Sequence, residues 1–198
     1  MKPFSQACEN NKAPILAHLK DYLSGVAEVL EIGSGTGQHS VYFAQHLPHL
    51  TWQTSDLAIH HQGILQWHQE SQLSNLNPPL SLDLNEPWPV KKVAAIFTAN
   101  TLHIVSKLLV ERFFEGVKQH LVPEGILCIY GPFKYGGCFT SESNERFDTF
   151  LKQQDSHSGI RDIETIEQLA TKADLTLIKD ITMPANNQLL IFKRLLTS

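Results

Sequence analysis

The sequence predicts an α/β protein built on a parallel sheet with helices over both faces, and three observations carry that expectation. Short apolar runs alternate four times with amphipathic stretches, the order that strand-helix repeats impose. One of those runs, Val29–Ile32, turns through Gly33, Gly35 and Gly37 into a helical stretch. The 198 residues, 42% of them hydrophobic, suffice for a continuous core without disulfide or metal staples, so one domain over residues 1–198 is expected.

Element by element, Pro14 suits a helix start, and Ile15, Leu16, Leu19, Tyr22 and Leu23 share one face of a helix ending near Gly25. A strand over 27–32 follows, then a helix over 38–46 that stops before Pro48, a strand over 51–55, a helix over 58–70 and a short strand over 80–84. Residues 93–98 read as the fourth strand and 107–120 as a helix; the turn Pro123-Glu124-Gly125 leads into a fifth strand over 126–130. From 131 to 160 no long apolar run appears, so an insertion is expected, helical around 145–151. A helix over 163–172 precedes two strands, 175–181 and 188–193, that close as a hairpin.

Charge and composition remove several function classes. A net charge of −4 with scattered basic residues offers no electrostatic footprint for nucleic acid. No stretch approaches the ~20 apolar residues of a membrane span, and the N-terminal residues lack an apolar signal segment, so a cytoplasmic protein without a membrane partner is expected. Cys8, Cys128 and Cys138 form no Cys-x-x-Cys pair and read as free thiols, Cys128 in the core. Ten histidines include His46 with His49 and His60 with His61 and His68, yet no metal-binding spacing accompanies them, so no metal is expected. Trp52 and Trp88 read as packing residues. Nothing in the sequence fixes an oligomeric state.

The glycine loop carries the functional reading. Glycines at alternate positions tolerate positive φ and let backbone N–H groups approach a ligand closely. A dinucleotide loop prefers Gly-x-Gly-x-x-Gly, whereas here the spacing is Gly-x-Gly-x-Gly behind an acid, Glu31. S-adenosylmethionine has no phosphate but carries an ammonium and a sulfonium, which suit a carboxylate. Asp56, closing the second strand, can accept both ribose hydroxyls; Asp83, closing the third, with the Leu84 N–H, can read the adenine edge. Glu31, Gly33, Ser34, Gly35, Gly37, Asp56, Leu57, Asp83, Leu84 and Asn100 therefore form the expected cofactor set. Each acid taken alone is equally readable as a helix cap.

Further blocks extend this reading: Glu9-Asn10-Asn11-Lys12 with Pro14-Ile15-Leu16, Gly35-Thr36-Gly37-Gln38-His39, Trp52 to Asp56, Asn100-Thr101-Leu102-His103-Ile104, Tyr130-Gly131-Pro132-Phe133, Thr140-Ser141-Glu142-Ser143-Asn144 with Phe147-Asp148, Gly159-Ile160-Arg161-Asp162 and Met183-Pro184-Ala185-Asn186-Asn187. With these the chain resembles a class I S-adenosylmethionine-dependent methyltransferase and, more narrowly, the methyltransferase-like protein twenty-six family, over nearly its whole length. Asn10 stands where that family often has arginine. The resemblance implies a Rossmann-like, mostly parallel seven-stranded sheet with an antiparallel last strand. It supplies no substrate.

Methyl transfer from a sulfonium is an in-line displacement whose main demand is alignment, an effect worth ~7–11 kcal/mol. Asn100 and His103, just beyond the fourth strand, and Tyr130, ending the fifth, are the candidate catalytic residues; an ordinary imidazole pKa of about 6.5 would let His103 take a proton. A capping or core histidine is the competing reading. The Asn/Asp-Pro-Pro-Tyr turn that grips planar amines does not follow the fourth strand, which favours a small-molecule acceptor. Asn11, Asn144, Asp148, Arg161 and Asn187 are candidate substrate residues; a cavity-facing Arg161 would favour a carboxylate or phosphate, whereas paired with Asp148 or Asp162 it is structural. His39 is placed to hydrogen-bond at the helix start. A non-catalytic S-adenosylmethionine sensor and a nicotinamide enzyme are the alternatives.

Overall fold

Residues 2–196 are described by the computed structural model. Strands β1 (Glu28–Ile32), β2 (Thr51–Asp56), β3 (Leu76–Ser81), β4 (Val93–Ala99) and β5 (Leu121–Gly131) run parallel. Strands β6 (Phe133–Tyr135), β7 (Cys138–Phe139) and β8 (Arg161–Asp162) form a small separate sheet, and β9 (Leu175–Met183) and β10 (Asn187–Arg194) make the closing hairpin. The large sheet has the order β3-β2-β1-β4-β5-β10-β9, and only β10 runs against its neighbours, as expected. Its helices are α1 (Gln6–Tyr22), α2 (Gln38–His46), α3 (His61–Ser71), α4 (Lys107–His120), α5 (Glu142–Gln154) and α6 (Ile163–Lys172).

Alternation along the strands divides the core in two. Val29, Phe97, Cys128 and Ile191 join Ile15, Leu19 and Phe43 on the α1–α2 side. Leu30, Ile96, Ile129 and Phe192 join Phe113, Val117 and Ile166 on the α4–α6 side. Strands buried on both faces read as continuous apolar runs, which is why β1 and β4 are plain in the sequence.

Several boundaries differ from expectation. Helix α1 begins at Gln6, where the Ser5 hydroxyl accepts from the Cys8 N–H, and Pro14 lies inside it. Lacking an N–H, Pro14 cannot bond the Asn10 carbonyl, and tertiary packing of Ile15, Leu16 and Leu19 holds the helix through that gap. The third strand is Leu76–Ser81 rather than 80–84; Pro78 and Pro79 are tolerated because β3 is an edge strand. Pro123-Glu124-Gly125 does not precede the fifth strand but lies within it, where the register slips beside β4 and Glu124 adopts φ 65°. The 131–160 insertion contains β6, β7 and a longer helix than expected, α5 from Glu142 to Gln154, capped by the Ser141 hydroxyl.

Gly116 in α4 lets the Trp88 indole lie against the helix backbone: an added Cβ would stand 2.2 Å from the ring. Gly116→Ala gains helix propensity of about 1 kcal/mol but forces the indole out of its seat, so a net loss of about 1–3 kcal/mol is expected in urea denaturation. Unchanged stability would mean that Trp88 repacks freely.

Candidate functional site

The strand order reverses between β1 and β4, and a cavity of about 1130 Å³ opens at the carboxyl ends there. That volume exceeds the ~300–1,000 Å³ of an ordinary small-molecule pocket and leaves room for two ligands. Its walls come from the β1–α2 loop, the ends of β2 and β4, the segment after β3, helices α1 and α5, and the hairpin turn.

The loop after β1 is fixed before any ligand arrives. The N–H groups of Gly33 and Ser34 both donate to the Ser55 carbonyl at 3.0 Å, and Gly37 donates to the Ser34 carbonyl at 2.9 Å. All three glycines have positive φ, but their surroundings differ. A Cβ on Gly33 would meet Thr101 Oγ1 at 2.7 Å and one on Gly37 would meet the α3 backbone at 3.0 Å, whereas Gly35 faces open space. Gly33, Ser34 and Gly35 line the cavity; Gly37 instead packs beneath α3.

Asp56 stands beside this loop. Its Oδ2 accepts the Gly35 N–H and its Oδ1 the Leu57 N–H, each at 2.7 Å, which fixes the carboxylate while leaving lone pairs for a ligand. Leu57, Asp83 and Leu84 also line the cavity. Asp83 follows the end of β3 and caps its own turn, accepting the Asn85 N–H at 2.9 Å.

Glu31 is placed differently from expectation. It lies under the loop, off the cavity wall, accepting from Ser34 Oγ at 2.9 Å and Trp52 Nε1 at 3.0 Å. Burial pushes its carboxyl up to about 7, against the lowering effect of those two donors. Its carboxylate therefore faces Ser34 and Trp52, with the loop between it and the space in which a cofactor ammonium was expected.

Asn100, His103 and Tyr130 converge on the far part of the cavity. Asn100 sits in the left-handed region at φ 57° and its N–H donates to the Tyr130 carbonyl at 2.9 Å, joining the ends of β4 and β5. The His103 ring lies edge-on to Phe147, 5.4 Å between centroids. Burial, with the Arg161 guanidinium adding to it, holds His103 down to about 4, well below the ordinary value. Burial pushes the Tyr130 hydroxyl up, partly offset by a hydrogen bond from Asn11.

Of the other substrate candidates, Asn11, Asn144 and Asn187 line the cavity and Asp148 and Arg161 do not. Asp148 accepts the Ile160 N–H at 2.7 Å and pairs with Lys152 at 2.6 Å. Arg161 donates to the carbonyls of Leu102, Val105 and His157, so it braces the segment carrying His103. Three backbone carbonyls meet its guanidinium; neither a cavity anion nor the expected pairing with Asp148 or Asp162 does.

Sequence reasoning missed much of the contribution of α1. Cys8 and Asn10 enter the wall, and Asn11 Oδ1 lies 2.6 Å from His39 Nε2, which hydrogen-bonds to this helix while stacking on Phe43. Burial holds His39 down to about 4. The segment before α1 is pinned across the loop: Ser5 N donates to Gln38 Oε1 at 2.5 Å, Trp67 Nε1 to the Pro3 carbonyl at 2.7 Å, and the Lys2 ammonium lies 3.7 Å over the Trp67 ring. Gly63 leaves the space that Pro3 occupies. The one available signal was Ser5 three residues before Cys8, a weak capping pattern. Among the described residues no group of three or more His, Cys, Asp or Glu could hold a metal ion, and no helix is long and apolar enough to cross a membrane.

Comparison with known proteins agrees with this geometry. The sequence model of a family described as "Protein of unknown function (DUF938)" matches residues 2–194. An O-methyltransferase family protein from Burkholderia thailandensis superposes with TM-score 0.84 at 15% identity, over 97% of this chain and 58% of its own. The mitomycin 7-O-methyltransferase MmcR gives 0.83 at 16%, over 95% and 54%. Human N-acetylserotonin methyltransferase, solved in complex with SAM, gives 0.81 at 12%, over 96% and 53%. The chain thus has the Rossmann-like fold of class I methyltransferases and spans a little over half the length of these structures.

Proposed function

We propose that this chain, which belongs to the DUF938 family, binds S-adenosylmethionine at the β1–α2 loop and transfers its methyl group to a small molecule held against Asn100, His103 and Tyr130. The observation that carries this reading is a single cavity that begins at Gly33–Gly35 and Asp56 and continues to those three residues. The adenosine is assigned to the Asp56, Leu57, Asp83 and Leu84 side, with the ribose hydroxyls on the Asp56 carboxylate. When bound, the cofactor supplies an activated methyl group. The protein aligns the acceptor. The narrower likeness to the methyltransferase-like protein twenty-six family agrees with this assignment. The open far part of the cavity favours catalysis over a sensor, in which side chains would fill that space.

Calorimetric titration tests the cofactor half: S-adenosylmethionine and S-adenosylhomocysteine should bind and NAD should not. Binding of NAD alone would replace the reading with a nicotinamide enzyme.

His103 stays neutral across the working range, so it orients the acceptor and receives a hydrogen bond rather than titrating at neutral pH. The kcat/KM profile is therefore expected to lack an acidic limb near the ordinary histidine value of about 6.5. A limb there that disappears in His103→Gln would restore His103 as a conventional general base.

A further inference from the structure

We propose that the acceptor half of the cavity takes an uncharged small molecule that presents N–H or O–H groups to two fixed carbonyl oxygens, those of Asn144 and Asn187, and that it rejects carboxylates and phosphates. This rests on the methyl-transfer reading above and deepens it by naming the acceptor's chemistry.

The orientation of both amides is set by their partners. Asn144 Nδ2 lies 2.9 Å from the Asn186 carbonyl and 2.9 Å from Thr140 Oγ1. Asn187 Nδ2 lies 3.2 Å from the carbonyls of Pro184 and Ala185. A backbone carbonyl only accepts, so the nitrogen must be the atom facing it; a flip would set the amide oxygen against one carbonyl at Asn144 and against two at Asn187. Both NH₂ groups are thereby engaged within the protein. What remains of each side chain is an oxygen with lone pairs only, on a residue that lines the cavity. Two such oxygens select for ligand donors.

The surrounding wall carries no countercharge for an anion. Among the described residues no lysine or arginine lines the cavity. Cations close by in the chain are committed elsewhere, Arg161 to three backbone carbonyls, Lys152 to Asp148 and Lys12 to Glu9. The two lining carboxylates, Asp56 and Asp83, belong to the cofactor half. A carboxylate brought beside Asn144 and Asn187 would lose its hydration and face two amide oxygens with no cation on the wall to offset them. Beside the polar groups of Asn100 and His103, that half is walled by Phe147, the Tyr130 ring and Pro132, which suits a planar body bearing an amide, amine or hydroxyl.

The test uses full-length protein saturated with S-adenosylhomocysteine and three matched probes: benzamide, N,N-dimethylbenzamide and benzoate. Ligand-observed NMR titration is expected to rank benzamide tightest, by about tenfold over each of the others, the scale of one hydrogen bond gained or opposed. Asn187→Ala should narrow that advantage. Benzoate or the dimethylamide matching benzamide would overturn the assignment, as would no binding by any of the three at millimolar concentration. Failure of S-adenosylhomocysteine to bind in calorimetry would overturn the methyl-transfer reading itself. Binding of that product with a reversed probe order overturns only the acceptor class.

Discussion

Asp56→Ala is expected to weaken S-adenosylmethionine binding by about 10²–10⁴-fold, because the proposed function places two charge-assisted hydrogen bonds from ribose hydroxyls on this carboxylate, each worth about 1.5–3 kcal/mol, and both would be lost together. The carboxylate also holds the loop, through Gly35 N–H and Leu57 N–H at 2.7 Å each, so part of the loss would be preorganisation of the glycine turn. Asp56→Asn separates the two contributions: it keeps one acceptor for the backbone but removes the charge, and should fall between wild type and Asp56→Ala. Calorimetry gives the affinity, and far-UV circular dichroism with a urea curve shows whether the fold survives. An Asp56→Ala affinity within about threefold of wild type would remove this carboxylate from the ribose.

Glu31→Gln is expected to stabilise the ligand-free protein by about 3 kcal/mol near pH 8 and by under about 1 kcal/mol near pH 5. The sign follows from burial. A carboxyl at about 7 in the folded chain, against an ordinary 4.5, contributes fully in its neutral form below the unfolded value and loses that contribution as pH rises through 7. Glutamine is neutral throughout and still offers an oxygen to Ser34 and Trp52. His39 and His103, held down to about 4, act in the opposite sense: their contribution is present above about 6.5 and is lost as pH falls toward 4. The difference between variant and wild type at each pH, taken from urea midpoints, isolates the carboxyl. A difference that does not grow with pH would mean that water or rearrangement relieves the buried charge.

The strand-helix alternation and the cavity-lining role of Gly33, Gly35, Asp56, Asn100, His103 and Tyr130 were legible because each rests on local chemistry: a buried apolar run, a positive φ, an acid at a strand end. The short strands of the 131–160 segment were not, since two or three residues carry no period. Pro14 and the Pro78-Pro79 pair misled for a related reason. A proline weakens a local propensity, while packing along α1 and an edge position for β3 decide the outcome. Arg161 and Glu31 show the deeper limit. Charged residues beside glycine turns read as ligand groups, but whether a charge faces a cavity or braces a buried carbonyl depends on a rotamer that no spacing encodes.

The clasp of Pro3 and Lys2 on Trp67 has an optical consequence. Trp52 and Trp88 are buried, and only Trp67 touches the segment that crosses the glycine loop. Withdrawing an ammonium from above that indole alters its emission, while the other two chromophores hold steady. Release of the Lys2–Pro3 segment from Trp67 can therefore be timed by intrinsic fluorescence, with no label attached.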